Sequence, residues 1–131
     1  YIKLAKEEGV ADKCKFFFRY IDDPEVSAFF SAADVNVLPY KSATQSGILS
    51  IAWHFQLPVI VTRTGSLAAD VESYNMGRVV EENFEDKLPE EIVQYFENNE
   101  SGKYRDNIKE FKNENSWLGF GNKLVAFSKG L

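Results

Sequence analysis

The fold is decided by one stretch of the chain, residues 35–64, with the sequence VNVLPYKSATQSGILSIAWHFQLPVIVTRT. This stretch predicts a buried strand ending before Pro39, a small polar turn, a helix and a second buried strand. Strands that are apolar on both faces are typical of a parallel sheet with helices on each side. In such sheets, ligands bind where the carboxyl end of a strand meets the amino end of the following helix. We therefore expect a binding site at the turn, residues 42–47.

The same alternation of strand and helix continues on both sides of this stretch. Strand character is present in four segments: residues 15–18 (KFFF), 35–38, 59–61 and 78–80. Helices are predicted between them, at residues 24–32, 48–55 and 66–71. This pattern predicts an α/β fold with a Rossmann-like parallel sheet of about four strands and flanking helices.

The chain length of 131 residues predicts a single domain over residues 1–131. From about residue 85 the sequence turns polar with helical periodicity, which predicts a helical tail, residues 85–131, within that domain. The chain begins at Tyr1, directly in a helical pattern, and not at an initiator methionine. We therefore expect it to be a piece of a longer protein.

The composition argues against some classes of function. The chain has 20 Asp and Glu against 15 Lys and Arg, a net charge of -5, whereas a nucleic-acid-binding surface needs a basic stripe. Its single cysteine, Cys14, cannot form an intrachain disulfide and favours a reducing, cytoplasmic location. The sequence shows neither a signal peptide nor an apolar run long enough to cross a bilayer.

The turn at residues 42–47 has the residues of a phosphate cradle. Ser42 and Gln45 have the spacing of a capping box, and the simplest interpretation is a well-made helix start. Gly47, however, lets a ligand approach the backbone closely. The helix amino end also offers unpaired N–H groups and a positive dipole, which suit phosphate oxygens.

A second turn and two basic side chains are predicted beside the first turn. Thr64 and Gly65 are small enough to let the backbone approach a ligand, whereas Ser66 is equally suited to capping a helix. Lys41 and Arg63 each follow the carboxyl end of a strand, where a cation could contact phosphate or remain solvated.

The other conspicuous side chains have structural interpretations. His54 lies about two turns past the start of its helix, so we expect it at the surface or the edge of the core. Trp53 and the aromatic run at 16–18 are predicted to be core, and Cys14 to be buried or half-buried. Solvated acids are predicted at 81–82 and 90–91. The face of the helix toward the sheet is predicted to be Ile48, Ile51, Ala52 and Phe55.

Three quoted segments in order carry a resemblance to a known family: ADVNVLPYKSATQSGILSIAWHFQLPVIVTRTGSL at 33–67, NMGRVV at 75–80 and NSW at 115–117. Together they resemble the carboxyl-terminal Rossmann-like half of GT-B glycosyltransferases of the family 4, or group 1, type. The resemblance extends from about Asp12 onward. It implies that the chain lacks the first strands of that half and that a separate amino-terminal domain binds the acceptor.

The resemblance implies retaining transfer of a sugar from a nucleotide-diphosphate sugar, without a metal ion or another cofactor. It implies a glycan or lipid-linked acceptor, a place in polysaccharide biosynthesis and peripheral membrane association of the full-length protein. The catalytic residues remain unassigned, and the fragment alone is expected to be inactive. Together with the chemistry of the turn, the resemblance predicts that the donor is bound by Lys41, Ser42, Thr44, Gln45, Ser46, Gly47, Thr64 and Gly65.

The sequence departs from the family at three acidic positions. The usual pair of glutamates falls at Ala43 and Ile51, and a third acid falls at Ala69, with Asp70 beside it. Gln45, Ser46 and Ser50 are candidate substitutes for the lost carboxylates. This departure keeps open the alternative of a non-catalytic Rossmann-like binding domain with a degenerate donor site.

A receiver-like signalling domain is another alternative, because it too alternates strands and helices. Such a domain needs an Asp at the carboxyl end of a strand and further acids to hold Mg²⁺. Pro39 and Tyr40 follow Leu38 instead, and no Asp follows Val61. The sequence therefore favours the glycosyltransferase interpretation.

Overall fold

The computed structural model describes residues 1–42, 47–81 and 84–130, without the side chains of residues 84, 85 and 117. Its described part contains a parallel sheet of three strands, β1 (Asn36–Leu38), β2 (Val59–Thr62) and β3 (Gly77–Val80), in the order β1-β2-β3. The central strand β2 pairs with both neighbours. The predicted α/β fold and its parallel sheet are confirmed.

Helices precede, connect and follow the strands. They are α1 (Ile2–Glu7), α2 (Asp23–Ala32), α3 (Gly47–His54), α4 (Gly65–Ser73), α5 (Phe84–Glu97), α6 (Ser101–Glu114) and α7 (Trp117–Lys129), with a 3-10 turn at Ala11–Lys13. Side chains cap two of them: Asp22 accepts from the N–H of Glu25, and Ser116 accepts from the N–H of Gly119. Within the described ranges, no helix is long and apolar enough to cross a membrane.

Both faces of the sheet are buried, as the apolar strands predict. On one face, Val59 and Val61 pack in a cluster with residues of α3, α4 and α6, including Ile108, which is completely buried. On the other face, Ile60 packs with Val80, Tyr95 of α5 and Tyr104 of α6. The helices of the predicted tail therefore help to enclose the sheet.

The prediction of a strand at residues 15–18 is wrong. This segment is neither helix nor strand and joins no sheet in the described chain. The ring of Phe17 instead lies edge-on to Phe29 of α2, with the ring centroids 4.8 Å apart. Its aromatic side chains are also not core: Phe16, Phe17 and Phe18 are 38%, 46% and 70% exposed. A strand needs a hydrogen-bonding neighbour, and none of the described strands lies beside this segment.

The orientation of α3 also differs from the prediction. Leu49, Ala52 and Trp53 are buried, whereas Ile48 and Ile51 are exposed. Most residues of this short helix are apolar, so periodicity alone does not select a face. Trp53 is core, as predicted. Cys14, predicted to be at least half-buried, is exposed.

Gly77 brings β3 close to β2. A Cβ atom at this position would lie 2.1 Å from the carbonyl oxygen of Val59, far inside van der Waals contact. Because that oxygen belongs to the backbone of the central strand, it cannot move aside like the tip of a flexible side chain. The glycine is therefore a requirement of the sheet itself.

We expect Gly77→Ala to lower the free energy of unfolding by about 2 kcal/mol or more, because the added methyl group separates the strands. Urea unfolding measures this effect. Gly102→Ala is the control, because a Cβ at Gly102 meets no atom within 4 Å and alanine is the better helix former. Equal stability of the Gly77→Ala variant and the wild type would contradict this account.

Tyr104 is a buried titratable group on the second face of the sheet. Its hydroxyl donates to a carboxylate oxygen of Glu100 at 3.0 Å. Burial, followed by the interaction with Glu100, raises the pKa of Tyr104 to about 12 from its ordinary value of 10.0. The folded state therefore holds this proton more tightly than the unfolded state.

The stability that comes from protonated Tyr104 should be complete below pH 10 and be lost as the pH rises toward 12. Tyr104→Phe has no proton to lose, so we expect it to flatten the fall in unfolding free energy over that interval. Urea unfolding across the interval measures the slope. Tyr20→Phe, at a side chain 84% exposed, is the control. An unchanged slope in Tyr104→Phe would contradict the expectation.

Candidate functional site

The carboxyl ends of the three strands lie at one edge of the sheet. In the parallel register Leu38 is opposite Val61, and Thr62 is opposite Val80. The chain leaves this edge after each strand, through Pro39, through Arg63 and through Glu81. The predicted turns at 42–47 and 64–66 therefore both begin at the edge where ligands bind in parallel sheets.

Thr62 ties the loop after β1 to the central strand. The N–H of Tyr40 donates to the carbonyl of Leu38 at 3.0 Å, which turns the chain sharply at Pro39. The hydroxyl of Thr62, which is only 3% exposed, donates to the carbonyl of Tyr40 at 2.5 Å. The sequence interpretation missed this residue. The sequence feature that could have indicated Thr62 is its position as the single polar side chain at the end of the otherwise apolar strand VIVT.

The structure places part of the first predicted turn. Lys41 and Ser42 are exposed and follow the sharp turn at Pro39. Gly47 is exposed at the start of α3, and a Cβ atom there would meet nothing within 4 Å. Among the described residues, none therefore occupies the space beside Gly47 into which a side chain would extend. The predicted binding residues Thr44, Gln45 and Ser46, with Ala43, lie outside the described residues.

The second predicted turn begins α4 at the same edge. Thr64 is half-buried and occupies the N-cap position, and Gly65 follows with a φ of 51°. The prediction that the helix begins at Ser66 is wrong by one residue, because Gly65 is already helical. A positive φ is easily adopted by glycine, which explains why the chain can enter α4 after so short a connection.

Arg63 is held by two carboxylates. Its Nε donates to both carboxylate oxygens of Glu81 at 2.8 and 2.7 Å, and its terminal nitrogens donate to both carboxylate oxygens of Glu72. Hydrogen bonds to the arginine lower the pKa of Glu72 and of Glu81, and the carboxylates raise the pKa of Arg63. The guanidinium is thus oriented by two carboxylates, while the Arg63 side chain remains 40% exposed.

The environments of the acidic residues around the sheet were predicted only in part. Glu81 is one of the two neighbouring acids predicted to be solvated. It is exposed, but it forms an ion pair with Arg63. Glu91, predicted to be solvated, is half-buried and pairs with Arg78 at 3.0 Å. Glu72 was not singled out, because its partner lies nine residues earlier, on the far side of the Thr64–Gly65 turn.

His54 and the family's acidic positions supply no further chemistry at this edge. His54 is an exposed residue in the last turn of α3, as predicted. Ile51 is an apolar, 37% exposed side chain, and Ala69 and Asp70 are exposed on α4. Among the residues that the structure describes, no group of His, Cys, Asp and Glu is arranged to hold a metal ion.

The parallel sheet, its connecting helices and the two turns at its carboxyl edge define a Rossmann-like α/β domain. Residues 1–98 match the family described as Glycosyl transferases group 1. The chain belongs to this family and is a domain of a GT-B glycosyltransferase, which confirms the predicted resemblance. No curated protein matches the chain.

Thr62→Val should loosen the loop after β1, because valine has the same shape but cannot donate to the carbonyl of Tyr40. We expect the free energy of unfolding to fall by about 1 to 2 kcal/mol, the usual cost of a buried acceptor left without its donor. Thr62→Ser keeps the hydroxyl and should retain most of that stability. Urea unfolding compares the variants, and equal losses in both would refute a role for the hydrogen bond.

Proposed function

We propose that this chain is the donor-binding domain of a retaining glycosyltransferase and that it binds the diphosphate of a nucleotide sugar at the carboxyl edge of its sheet. Family membership carries the proposal. The open backbone at Gly47, where α3 begins, supports the position. The residues we assign to the donor are Lys41, Ser42, Thr44, Gln45, Ser46, Gly47, Thr64 and Gly65.

The chemistry of the leaving group explains why such an edge suits the reaction. A diphosphate gains negative charge as the bond to the sugar breaks. Backbone N–H groups and the dipole at the amino end of α3 are fixed in place, so they can stabilise that charge without reorganising. The hydroxyl of Ser42 can donate a further hydrogen bond. On this proposal the domain needs no metal ion for donor binding.

The finer assignments extend the same proposal. The acceptor, a glycan or a lipid-linked sugar, is expected to bind to the amino-terminal half of the full-length protein, with a place in polysaccharide biosynthesis and peripheral contact with a membrane. A cytoplasmic location rests on the single cysteine. The fragment alone is expected to be inactive.

A second candidate is a binding domain that has lost catalysis. The departures at Ala43, Ile51 and Ala69 favour it, because none of these side chains can accept a hydrogen bond from a sugar or ribose hydroxyl. The two candidates differ in what they bind. The first retains a nucleoside diphosphate, whereas a fully degenerate site does not.

Titration of uridine and guanosine diphosphates into the full-length protein tests the proposal. We expect one of the two to bind, and Gly47→Asp to weaken that binding at least about tenfold, because its carboxylate repels the diphosphate at the helix start. Gly102→Asp is the matched control. It makes the same change in the first turn of α6, where a Cβ also meets no atom within 4 Å.

Three results would count against the assignment. Absence of binding by the wild type would favour the degenerate domain. Equal affinities of the wild type and Gly47→Asp would place the diphosphate elsewhere. A loss of binding in Gly102→Asp as large as that in Gly47→Asp would also count against the site, because it would show that the added charge acts without regard to position.

A further inference from the structure

Arg63 connects three parts of the carboxyl edge. Its backbone N–H donates to the carbonyl of Val80, the last residue of β3, at 2.8 Å. Its side chain bridges Glu72 in the last turn of α4 and Glu81 directly after β3. A single residue thereby joins the end of β2, the end of β3 and the helix between them.

The turn that follows Arg63 is very short. Only Thr64 separates Arg63 from Gly65, where α4 begins. The positions of Thr64 and Gly65 therefore depend on how α4 sits against β2 and β3. The bridge from Arg63 to Glu72 adds a constraint to this placement, because it ties the residue before the turn to the last turn of the same helix.

The charges of the cluster are unfavourable for direct contact with phosphate. Arg63 contributes one positive charge, and Glu72 and Glu81 contribute two negative charges, so the cluster has a net charge of about -1 at neutral pH. Glu72 accepts from both terminal nitrogens through its two oxygens, the bidentate geometry in which an arginine binds a carboxylate most strongly, whereas both oxygens of Glu81 accept from Nε alone. These hydrogen bonds thus orient the guanidinium toward the protein's own carboxylates.

We propose that Arg63 is a positioning residue of the donor site: held between Glu72 and Glu81, it sets the geometry of the Thr64–Gly65 turn for a nucleoside diphosphate. This inference rests on the proposed function. It assigns Arg63 a role that differs from that of a phosphate-facing cation, and it adds Glu72 and Glu81 to the residues on which donor binding depends.

The two roles predict opposite effects when a carboxylate is removed. Glu72→Gln and Glu81→Gln make the edge more positive and release part of the guanidinium, so a phosphate-facing Arg63 would bind a diphosphate more tightly. If Arg63 is a positioning residue, removing a carboxylate loosens its hold on the turn, and the diphosphate binds more weakly by about three- to tenfold. Arg63→Lys keeps the charge but cannot form the bidentate pair with Glu72, so it should weaken binding as well.

The experiment measures the dissociation constants of uridine and guanosine diphosphates for these variants of the full-length protein. Glu25→Gln is the matched control. It removes one carboxylate from an exposed bidentate pair with Arg19, on α2 and outside the cluster of Arg63, Glu72 and Glu81. The amide resonance of Gly65 in the ligand-free protein is the second measurement, and it should shift in all variants of the cluster but not in Glu25→Gln.

Weaker binding by Glu72→Gln, Glu81→Gln and Arg63→Lys, together with a shifted Gly65 resonance, supports the positioning role. Tighter binding by either glutamine variant, or unchanged binding by Arg63→Lys, overturns it. If the wild type binds neither diphosphate, the proposed function fails and the ligand part of this inference fails with it. The Gly65 resonance then reports separately on whether the cluster fixes the turn, and an unshifted resonance refutes that part too.

Discussion

The pairing of β2 on both sides is the constraint on which the rest of the structure depends. Each residue of this strand is almost fully buried, and its backbone is hydrogen-bonded to β1 and to β3. The close approach of β3 is possible only because Gly77 has no side chain to meet the carbonyl of Val59. The register that follows brings the carboxyl ends of the three strands to one edge of the sheet.

Two consecutive residues at the end of β2 organise these loops. Thr62 reaches the carbonyl of Tyr40 and holds the loop after β1, whereas Arg63 reaches α4 and the residue after β3. One contact is a partly buried hydrogen bond between neutral groups, and the other is a partly exposed network of ion pairs. The first is insensitive to salt, whereas exposed ion pairs are screened by it, so the two loops respond differently to ionic strength.

Local pattern predicted the architecture but not the features that depend on distant partners. Apolar strands and the alternation of elements predicted the α/β fold. The run at 15–18 has strand composition, but a strand also requires a neighbour with unpaired backbone groups. The prediction of which face of α3 is buried was wrong, because apolar residues surround most of this helix. Thr62 and Arg63 have partners between 9 and 22 residues away, and spacing along the chain does not reveal such pairs.

The position of Ile108 has a consequence for folding during synthesis. This completely buried residue of α6 belongs to the same apolar cluster as residues of β1, β2 and the helices that connect the strands. The three strands are complete by residue 80, about 30 residues before α6 can cover them. Until α6 leaves the ribosome, the apolar cluster on this face of the sheet therefore lacks Ile108.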